Sequence, residues 1–180
     1  LGNFNSPNKV YRNEGSVLTT AATWSSADSD VTTSVTWGDV DGDGDLDLAA
    51  GNSNSYGEDT HNKIYLNQGG VLQPATWGLS DTDNTVSVAW GDVDGDGDLD
   101  LAAGNAQKYS TSCECLLGGN KLYRNEGGVL QPNAIWLSAD ADNTTSVAWG
   151  DVDGDGDLDL AVSIANSYGP GAPNKIYLNE

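Results

Sequence analysis

Three stretches of closely spaced aspartates are the residues whose type and spacing could do chemistry. Aspartate stands at every second position in Asp39–Asp47, and the pattern recurs in Asp92–Asp100 and Asp151–Asp159. On an extended chain these carboxylates would all lie on one side and repel each other. Gly42 and Gly44 allow the positive φ angles that curl a chain, so the row can become a ring of inward-facing oxygens. The pattern therefore predicts three cation-binding loops.

The donor atoms of these loops favour calcium. Calcium takes about six to eight oxygen ligands in flexible geometry, whereas magnesium requires a tight octahedron and gives up water reluctantly. Zinc prefers His or Cys, and the loops contain neither. We expect about three calcium ions, one in each loop.

Each aspartate of a loop has an expected role. In the first loop, side-chain oxygens would come from Asp39, Asp41 and Asp43. Asp45 would turn its backbone carbonyl inward, and Asp47 would bind through both carboxylate oxygens. The predicted metal ligands of the three loops are Asp39, Asp41, Asp43, Asp45, Asp47, Asp92, Asp94, Asp96, Asp98, Asp100, Asp151, Asp153, Asp155, Asp157 and Asp159.

The EF-hand is the nearest alternative, and the sequence argues against it. An EF-hand loop needs a bidentate acid at position twelve and a helix on each side. Position twelve is Ala50, Ala103 or Val162, none of which can bind a cation. The flanking segments are short and β-branched or alternating, which is typical of strands. The acidic stretch is therefore predicted to be a loop between two strands.

A second motif, Asn-Lys-(Val/Ile/Leu)-Tyr, sets the repeat. It begins at Asn8, Asn62, Asn120 and Asn174, at intervals of 54, 58 and 54 residues. Each full unit contains four short strand-like segments, and no window shows useful helical periodicity. Such units are typical of propeller blades, which bury their faces against their neighbours.

We therefore predict an all-β protein with β-propeller-type blades of four antiparallel strands, in three repeats. The predicted single repeat domain covers residues 1–180, with units at about 8–61, 62–119 and 120–173 and a further unit beginning in 174–180.

Aromatic residues recur on these strands, which favours a packing role in the core. They are Trp24, Trp77 and Trp136, then Trp37, Trp90 and Trp149, and finally Tyr11, Tyr65, Tyr123 and Tyr177. Three loops of variable length carry the other tyrosines, Tyr56, Tyr109 and Tyr168. Variable loops on a repeated scaffold are common binding surfaces, so these tyrosines are candidate ligand contacts, with solvated linkers as the alternative.

Composition excludes several classes of function. The chain has 27 Asp plus Glu against 7 Lys plus Arg, for a formal charge of −20. Nucleic-acid binding needs basic side chains that neutralise phosphates, so we expect no nucleic-acid partner. No apolar stretch is long enough to insert into a membrane. No nucleophile–base pair, phosphate loop or histidine metal site is visible, so we predict that the protein is not an enzyme.

Two further features stay open at this level. Cys113 and Cys115 lie two residues apart, and a local disulfide, a bond to a partner chain and free thiols are all compatible with the sequence. Asn143-Thr144-Thr145 permits N-glycosylation but does not show it.

The chain resembles the FG-GAP and VCBS repeats of integrin α-subunit-like β-propellers. The resemblance rests on the Asp-x-Asp-x-Asp-Gly-x-x-Asp loop, the Leu-Asp-Leu-Ala-Ala-Gly-Asn strand and the Asn-Lys-Ile-Tyr-Leu-Asn-Gln-Gly-Gly strand and turn. It implies calcium in the hairpin between a blade's first and second strands, and ligands on the opposite face. It also implies a secreted or cell-surface protein that serves adhesion or binds a protein or glycan.

The number of blades leaves two functional alternatives. Propellers close with about four to eight blades, whereas this chain has three acidic loops. Either it is a window from a longer propeller, or copies of the chain associate into a ring or a filament. We therefore expect a calcium-stabilised extracellular recognition module, with a self-associating building block and a lectin as the alternatives.

Overall fold

The computed structural model describes residues 6–53, 61–75, 77–79, 82–110, 115–165 and 172–180. Within these residues the regular secondary structure is entirely β, and no helix long and apolar enough to cross a membrane is found. The strands are β1 (Lys9–Val10), β2 (Asn13–Glu14), β3 (Val17–Leu18), β4 (Trp24–Ser25), β5 (Thr32–Gly38), β6 (Asp47–Asn52), β7 (Lys63–Tyr65), β8 (Trp77–Gly78), β9 (Thr85–Gly91), β10 (Asp100–Asn105), β11 (Lys108–Ser110), β12 (Cys115–Leu117), β13 (Lys121–Tyr123), β14 (Trp136–Leu137), β15 (Thr144–Gly150), β16 (Asp159–Ile164) and β17 (Lys175–Tyr177).

The strands form a series of small antiparallel sheets, which we call blades. The first blade is the four-stranded sheet β5-β6-β7-β8, and the second is β9-β10-β13-β14. The third blade is β15-β16-β17, and a leading strand pair, β1-β4, matches the outer two strands of the others. Two hairpins, β2-β3 and β11-β12, stand apart from these sheets. The prediction of an all-β protein built from repeated antiparallel blades is confirmed.

The second strand of each blade forms its centre. All six residues of Asp47–Asn52 are buried, and so are all six of Asp100–Asn105. The small side chains of Ala49 and Ala50, with Gly51 beside them, let neighbouring blades approach this strand closely. A blade is therefore a thin sheet with two apolar faces, and both faces need a neighbour.

Tryptophan against glycine sets the spacing between consecutive blades. A Cβ atom added at Gly38 would lie 2.6 Å from Trp90 Cδ1, and one added at Gly91 would lie 2.6 Å from Trp149 Cδ1. Real Cβ atoms do not approach other atoms this closely, so only glycine accommodates the indole of the next blade. At Gly150, by contrast, an added Cβ meets nothing within 4 Å.

The aromatic residues only partly follow the core prediction. Tyr65 and Tyr123 are buried, with exposed fractions of 1% and 0%, which confirms it for them. It is wrong for Trp37 and Tyr11, which are 46% and 45% exposed. The reason is positional, because within the described residues no complete blade precedes the first one to cover these side chains.

Buried asparagines join the blades through a polar ladder. Asn62 Nδ2 donates to Thr85 Oγ1 of the second blade at 3.0 Å, and Thr85 Oγ1 donates to Asn105 Oδ1 at 2.8 Å. Asn105 N in turn donates to Asn120 Oδ1, which also accepts from Thr144 Oγ1 of the third blade. The asparagine of the Asn-Lys motif is therefore a connector between blades, although Asn120 Nδ2 is buried without a hydrogen-bond partner among the described residues.

The lysine of the same motif forms ion pairs with aspartates near the start of its blade's first strand. Lys63 Nζ lies 2.5 Å from Asp30 Oδ2 and 3.3 Å from Asp28 Oδ2. Lys121 pairs with Asp83 at 2.6 Å in the second blade. The third blade repeats the arrangement with Lys175, Asp140 and Asp142. These ion pairs explain why the basic residues recur on one strand without forming a basic patch.

The glycine–tryptophan contact gives a matched pair of variants. We expect Gly91→Ala to lower the free energy of unfolding by about 1–3 kcal/mol, because the new methyl group overpacks against Trp149. Gly150→Ala, at the same repeat position but in open space, should change it little. Chemical denaturation of dilute protein measures both, and equal losses would contradict the assignment of the contact.

Candidate metal centres

The three acidic stretches are the loops that join the first and second strands of each blade. In the first blade the loop runs from the end of β5 at Gly38 to the start of β6 at Asp47. Gly42 and Gly44 have φ angles of 74° and 93°, in the left-handed region that glycine adopts without strain. The corresponding glycines of the other two loops also have positive φ angles. The chain therefore curls as the glycine spacing predicts.

Curling brings carboxylate oxygens of each loop together. Within each group of three aspartates, one ligand oxygen per residue lies within 4.8 Å of the others. The groups are Asp39, Asp41 and Asp43, then Asp92, Asp94 and Asp96, and then Asp151, Asp153 and Asp159. Each group can hold a metal ion.

One buried oxygen in each of the first two loops tests this fit. Asp39 Oδ1 and Asp92 Oδ1 are buried and have no hydrogen-bond partner among the described residues. The other oxygen of each carboxylate accepts a backbone N–H, from Gly44 or Gly97, at 3.0 Å. A buried anionic oxygen without a partner is strongly unfavourable. A cation in the loop would supply the missing interaction, so the residues fit a bound metal.

Backbone N–H groups within the loop orient the remaining carboxylates. Asp43 N donates to Asp41 Oδ1 at 3.2 Å, and Asp45 N donates to Asp43 Oδ1 at 2.8 Å. Each of these bonds uses one oxygen of a carboxylate, so the second oxygen is available to a metal ion. The loop geometry is thus held by its own backbone.

The last aspartate of each loop is the most deeply buried. Asp47 is 0% exposed, and its two oxygens accept from Val40 N at 2.9 Å and Asn67 N at 2.7 Å. Asp100 and Asp159 make the same pair of bonds in their blades. Burial raises the pKa of Asp47 and Asp100, while the backbone N–H groups partly offset this effect.

This residue therefore fastens the loop to the turn that follows the third strand. In the third blade, Asp159 also lies in the carboxylate group with Asp151 and Asp153. Binding of a cation through both oxygens of this aspartate stays a prediction.

Asp45 has a different contact from its neighbours. Its Oδ2 accepts from Gly69 N at 2.9 Å, and Asp98 Oδ2 accepts from Gly127 N at 2.7 Å. The side chain thus engages the turn after the third strand. The inward position of its backbone carbonyl stays a prediction.

Asparagines after the third strand connect one loop to the next. Asn125 N donates to Asp100 of its own blade, while Asn125 Nδ2 donates to Val40 O in the first loop at 2.7 Å. Asn179 does the same between the third blade and Val93 of the second loop. Sequence reasoning missed this role, although the asparagine recurs at 13, 67, 125 and 179.

A comparison with family models places these loops in a known repeat. The FG-GAP-like repeat model matches residues 1–50, 51–103 and 110–162. The chain belongs to the FG-GAP-like repeat family. Each matched segment contains one acidic loop and ends within the second strand of a blade. A comparison with curated proteins gave no match.

Among the described residues, the second FG-GAP-like loop differs from the other two because an arginine side chain lies beside it. Arg124 Nη2 lies 2.7 Å from Asp94 Oδ2. The first and third blades have Leu66 and Leu178 at the position of Arg124. The guanidinium already compensates part of the negative charge that a metal ion would meet in this loop.

The predicted ligand-contact tyrosines cannot be placed by their side chains. Tyr56 and Tyr168 lie outside the described residues, and Tyr109 is described only as part of the backbone of β11. Cys113 also lies outside them, and Cys115 is described only in the backbone of β12. The roles of these residues stay predictions.

Substitutions in the first loop should distinguish the role of the buried, anchoring aspartate from that of the exposed aspartates. We expect Asp47→Asn to lower the free energy of unfolding by about 1–3 kcal/mol even in a metal chelator, because an amide nitrogen cannot accept a backbone N–H. Asp43→Asn should lower stability only when metal is present. Denaturation of both variants with and without chelator measures the difference, and equal behaviour would contradict the two roles.

Replacing the arginine should strengthen metal binding at the second loop. We expect Arg124→Leu, which copies the first and third blades, to tighten metal binding at this loop, because it removes a competing positive charge. Titration calorimetry of the wild type and the variant measures the change. Arg12→Leu, at the same repeat position but exposed between β1 and β2, is the control. Unchanged or weaker binding in Arg124→Leu would contradict this prediction.

Proposed function

We propose that the protein is a calcium-binding, extracellular β-propeller module for adhesion or recognition, in which calcium has a structural role. The observation that carries the proposal is the grouping of carboxylate oxygens in three FG-GAP-like loops, two of which contain a buried oxygen that has no hydrogen-bond partner among the described residues. The donors are all oxygens, which suits calcium better than softer metals.

Calcium would act on the scaffold in this proposal, and no catalytic step is assigned to it. The groups of aspartates carry concentrated negative charge in the absence of a cation, and the first and second loops are each hydrogen-bonded to the next blade. An ion that screens this charge would stabilise both the loop and the contact between blades. Binding to the folded state alone also raises stability by mass action.

The recognition surface would lie at the edge away from the metal loops. The acidic loop follows the end of β5, which is seven residues long, so the other edge lies roughly 20 Å away. The variable loops leave the second strands at that other edge, and the β11-β12 hairpin extends from one of them. Tyr56, Tyr109 and Tyr168 belong to these loops, and we propose a glycan or protein as the ligand, which includes a lectin function.

An extracellular location accords with calcium as the bound ion. Extracellular calcium modules commonly bind with dissociation constants of about 10⁻⁴–10⁻³ M, which suits the calcium level outside cells. A net charge of −20 disfavours nucleic acid as a partner.

Self-association is a second candidate function, and one observation favours it. The front of the first blade exposes Val35 and Trp37, with exposed fractions of 52% and 46%. The back of the third blade exposes Ile176, at 54%. The equivalent side chains at the contacts between the described blades are buried or half-buried by the neighbouring blade. The exposed faces of the first and third blades therefore resemble the two sides of such a contact.

Thermal melting with calcium and with EGTA tests the metal part of the proposal. We expect a higher midpoint in calcium and a binding stoichiometry of about three, one ion for each group of carboxylates. Asp43→Asn should reduce the stoichiometry and part of the shift, whereas magnesium at equal concentration should give a smaller shift. An unchanged midpoint in EGTA would sink the proposal.

A further inference from the structure

A cavity of about 390 Å³ lies at the edge of the second blade away from its metal loop. It is lined by the ion pair of Asp83 and Lys121, by two glycines before the third strand, and by residues 137–139 and 141 after the fourth strand. Lys121 begins β13 and Asp83 precedes β9, so these parts meet at the edge where the variable loops leave. The volume is within the range of about 300–1,000 Å³ that is usual for small-molecule sites.

Leu137, which lines this cavity, departs from the repeat. Ser25 and Gly78 stand at its position in the leading strand pair and in the first blade. Leu137 is 58% exposed, so burial in the core does not explain the larger side chain. Pockets for small molecules are lined mainly by apolar side chains with a few polar groups, and Leu137 supplies such apolar surface here.

The two glycines at the cavity also depart from the repeat. A Cβ atom added at Gly119 would lie 2.6 Å from Leu137 Cδ1, and one added at Gly118 would lie 2.7 Å from Ala106 O. The absence of these side chains therefore leaves room for Leu137, and the glycines line the cavity with backbone atoms alone. The matching positions elsewhere all carry a side chain: Ser6 and Pro7, Thr60 and His61, and Ala172 and Pro173.

The hairpin β11-β12 is a third departure, and it is attached to the same cavity. It follows the second strand of the second blade, and no other unit has such a hairpin among the described residues. Gln107, at the base of the hairpin, donates from Nε2 to the backbone oxygen of Ala141, which lines the cavity. The base of the hairpin is therefore held beside the cavity.

Residues that serve the scaffold recur from unit to unit, and Ser138 shows the contrast. Its Oγ accepts from Asn120 N and donates to Asp140 O, and Ser26 makes the same two bonds in the leading strand pair. Ser138 therefore belongs to the scaffold although it lines the cavity. The three departures have no counterpart of this kind, and they meet at one place on the edge where the variable loops leave. Their meeting at a cavity indicates a binding site.

The charges at the cavity indicate a neutral ligand. Lys121 Nζ lies 2.6 Å from Asp83 Oδ2, and the two side chains keep 15% and 20% of their surface exposed. The ion pair thus presents a cationic donor beside an anionic acceptor, with no net charge of its own. The chain as a whole carries a formal charge of −20, which disfavours the approach of an anionic ligand.

A sugar ring matches this set of groups. A hydroxyl group can donate to a carboxylate and accept from an ammonium, so two adjacent hydroxyls can contact Asp83 and Lys121 together. Hydrogen bonds to charged groups are roughly twice as strong as those between neutral groups. The C–H face of the ring is apolar and suits the exposed side chain of Leu137. An extended peptide needs a groove or an open strand edge, whereas a single ring fits a cavity of this volume.

We propose that this cavity is a binding site for a neutral saccharide. Adjacent hydroxyls of one ring contact Asp83 and Lys121, and the apolar face of the ring lies against Leu137. The inference rests on the glycan ligand of the proposed function and assigns that ligand to the second blade. The site is at the edge away from the metal loops, so sugar binding and metal binding can be tested separately.

Amide NMR spectra of the calcium-loaded protein, titrated with methyl glycosides of glucose, galactose, mannose and N-acetylglucosamine, test the proposal. We expect at least one of these sugars to shift the signals of Gly118, Gly119 and Ser138. The dissociation constant should be on the order of 1 mM, because a single ring offers few contacts. Shifts confined to other residues would overturn this site and leave a glycan function standing. The absence of shifts with every sugar would overturn the site as well.

A pair of surface variants tests the apolar contact. Leu137→Ser, which copies Ser25, should raise the dissociation constant of the sugar about fivefold or more, because the ring loses apolar surface. Ile135→Thr, which copies Thr76, is the matched control. Ile135 is 52% exposed and lies two residues before Leu137, but it does not line the cavity. Its replacement should leave the affinity unchanged, and equal effects of the two variants would contradict the site.

A second pair of variants tests the ion pair. Asp83→Asn should raise the dissociation constant of the sugar about tenfold, because the amide replaces a charged acceptor by a neutral one. Asp30→Asn alters the matching ion pair of the first blade, where His61 stands in place of Gly119, and should leave the affinity unchanged. Equal affinities of the two variants would mean that Asp83 serves only the scaffold, which would overturn the site. Calcium-dependent melting is measured separately, so failure here leaves the metal proposal standing.

Discussion

The contact between a tryptophan on one blade and a glycine on the blade before it underlies the rest of the structure. A thin sheet with two apolar faces gains little stability alone, and its burial depends on its neighbours. Glycine at positions 38 and 91 lets the indoles of Trp90 and Trp149 come against the backbone. This close approach brings the acidic loops near enough for Asn125 and Asn179 to bridge them.

The two edges of each blade have different chemistry. At the end of the first strand, the carboxylates of each acidic loop lie close together. In each of the first two loops, one buried carboxylate oxygen has no hydrogen-bond partner among the described residues. Near its start, a lysine pairs with one or two aspartates, and a ladder of asparagine and threonine supplies hydrogen bonds between blades. The first edge groups three carboxylates in each loop, so it is the edge that fits a cation. The second edge holds the ladder, and the variable loops of the proposed recognition surface leave from it.

Local patterns were enough to predict the strands and the loops. The alternation of aspartates with glycine at positions 42 and 44 predicts a curled loop, because positive φ is a property of the residue itself. The regular interval between Asn-Lys motifs predicts the repeat, because it too can be read directly from residue types along the chain. The ladder was not predictable, since it joins Asn62 to Thr85 of another blade and depends on how sheets stack. Nor was the role of Asp47 as a buried anchor, because its partner Asn67 follows a different strand.

The sequence by itself determined the class of fold, the place of the metal loops and their donor chemistry, because these depend on residue types at short spacing. The tertiary structure decided which aspartate oxygens lie close enough to share a cation and which accept backbone N–H groups. It also decided which aromatic residues are buried: Tyr65 and Tyr11 have the same motif, yet only Tyr65 lies in the core. The difference is the presence of a packed neighbour, and a repeat in sequence carries no information about its own neighbours in space.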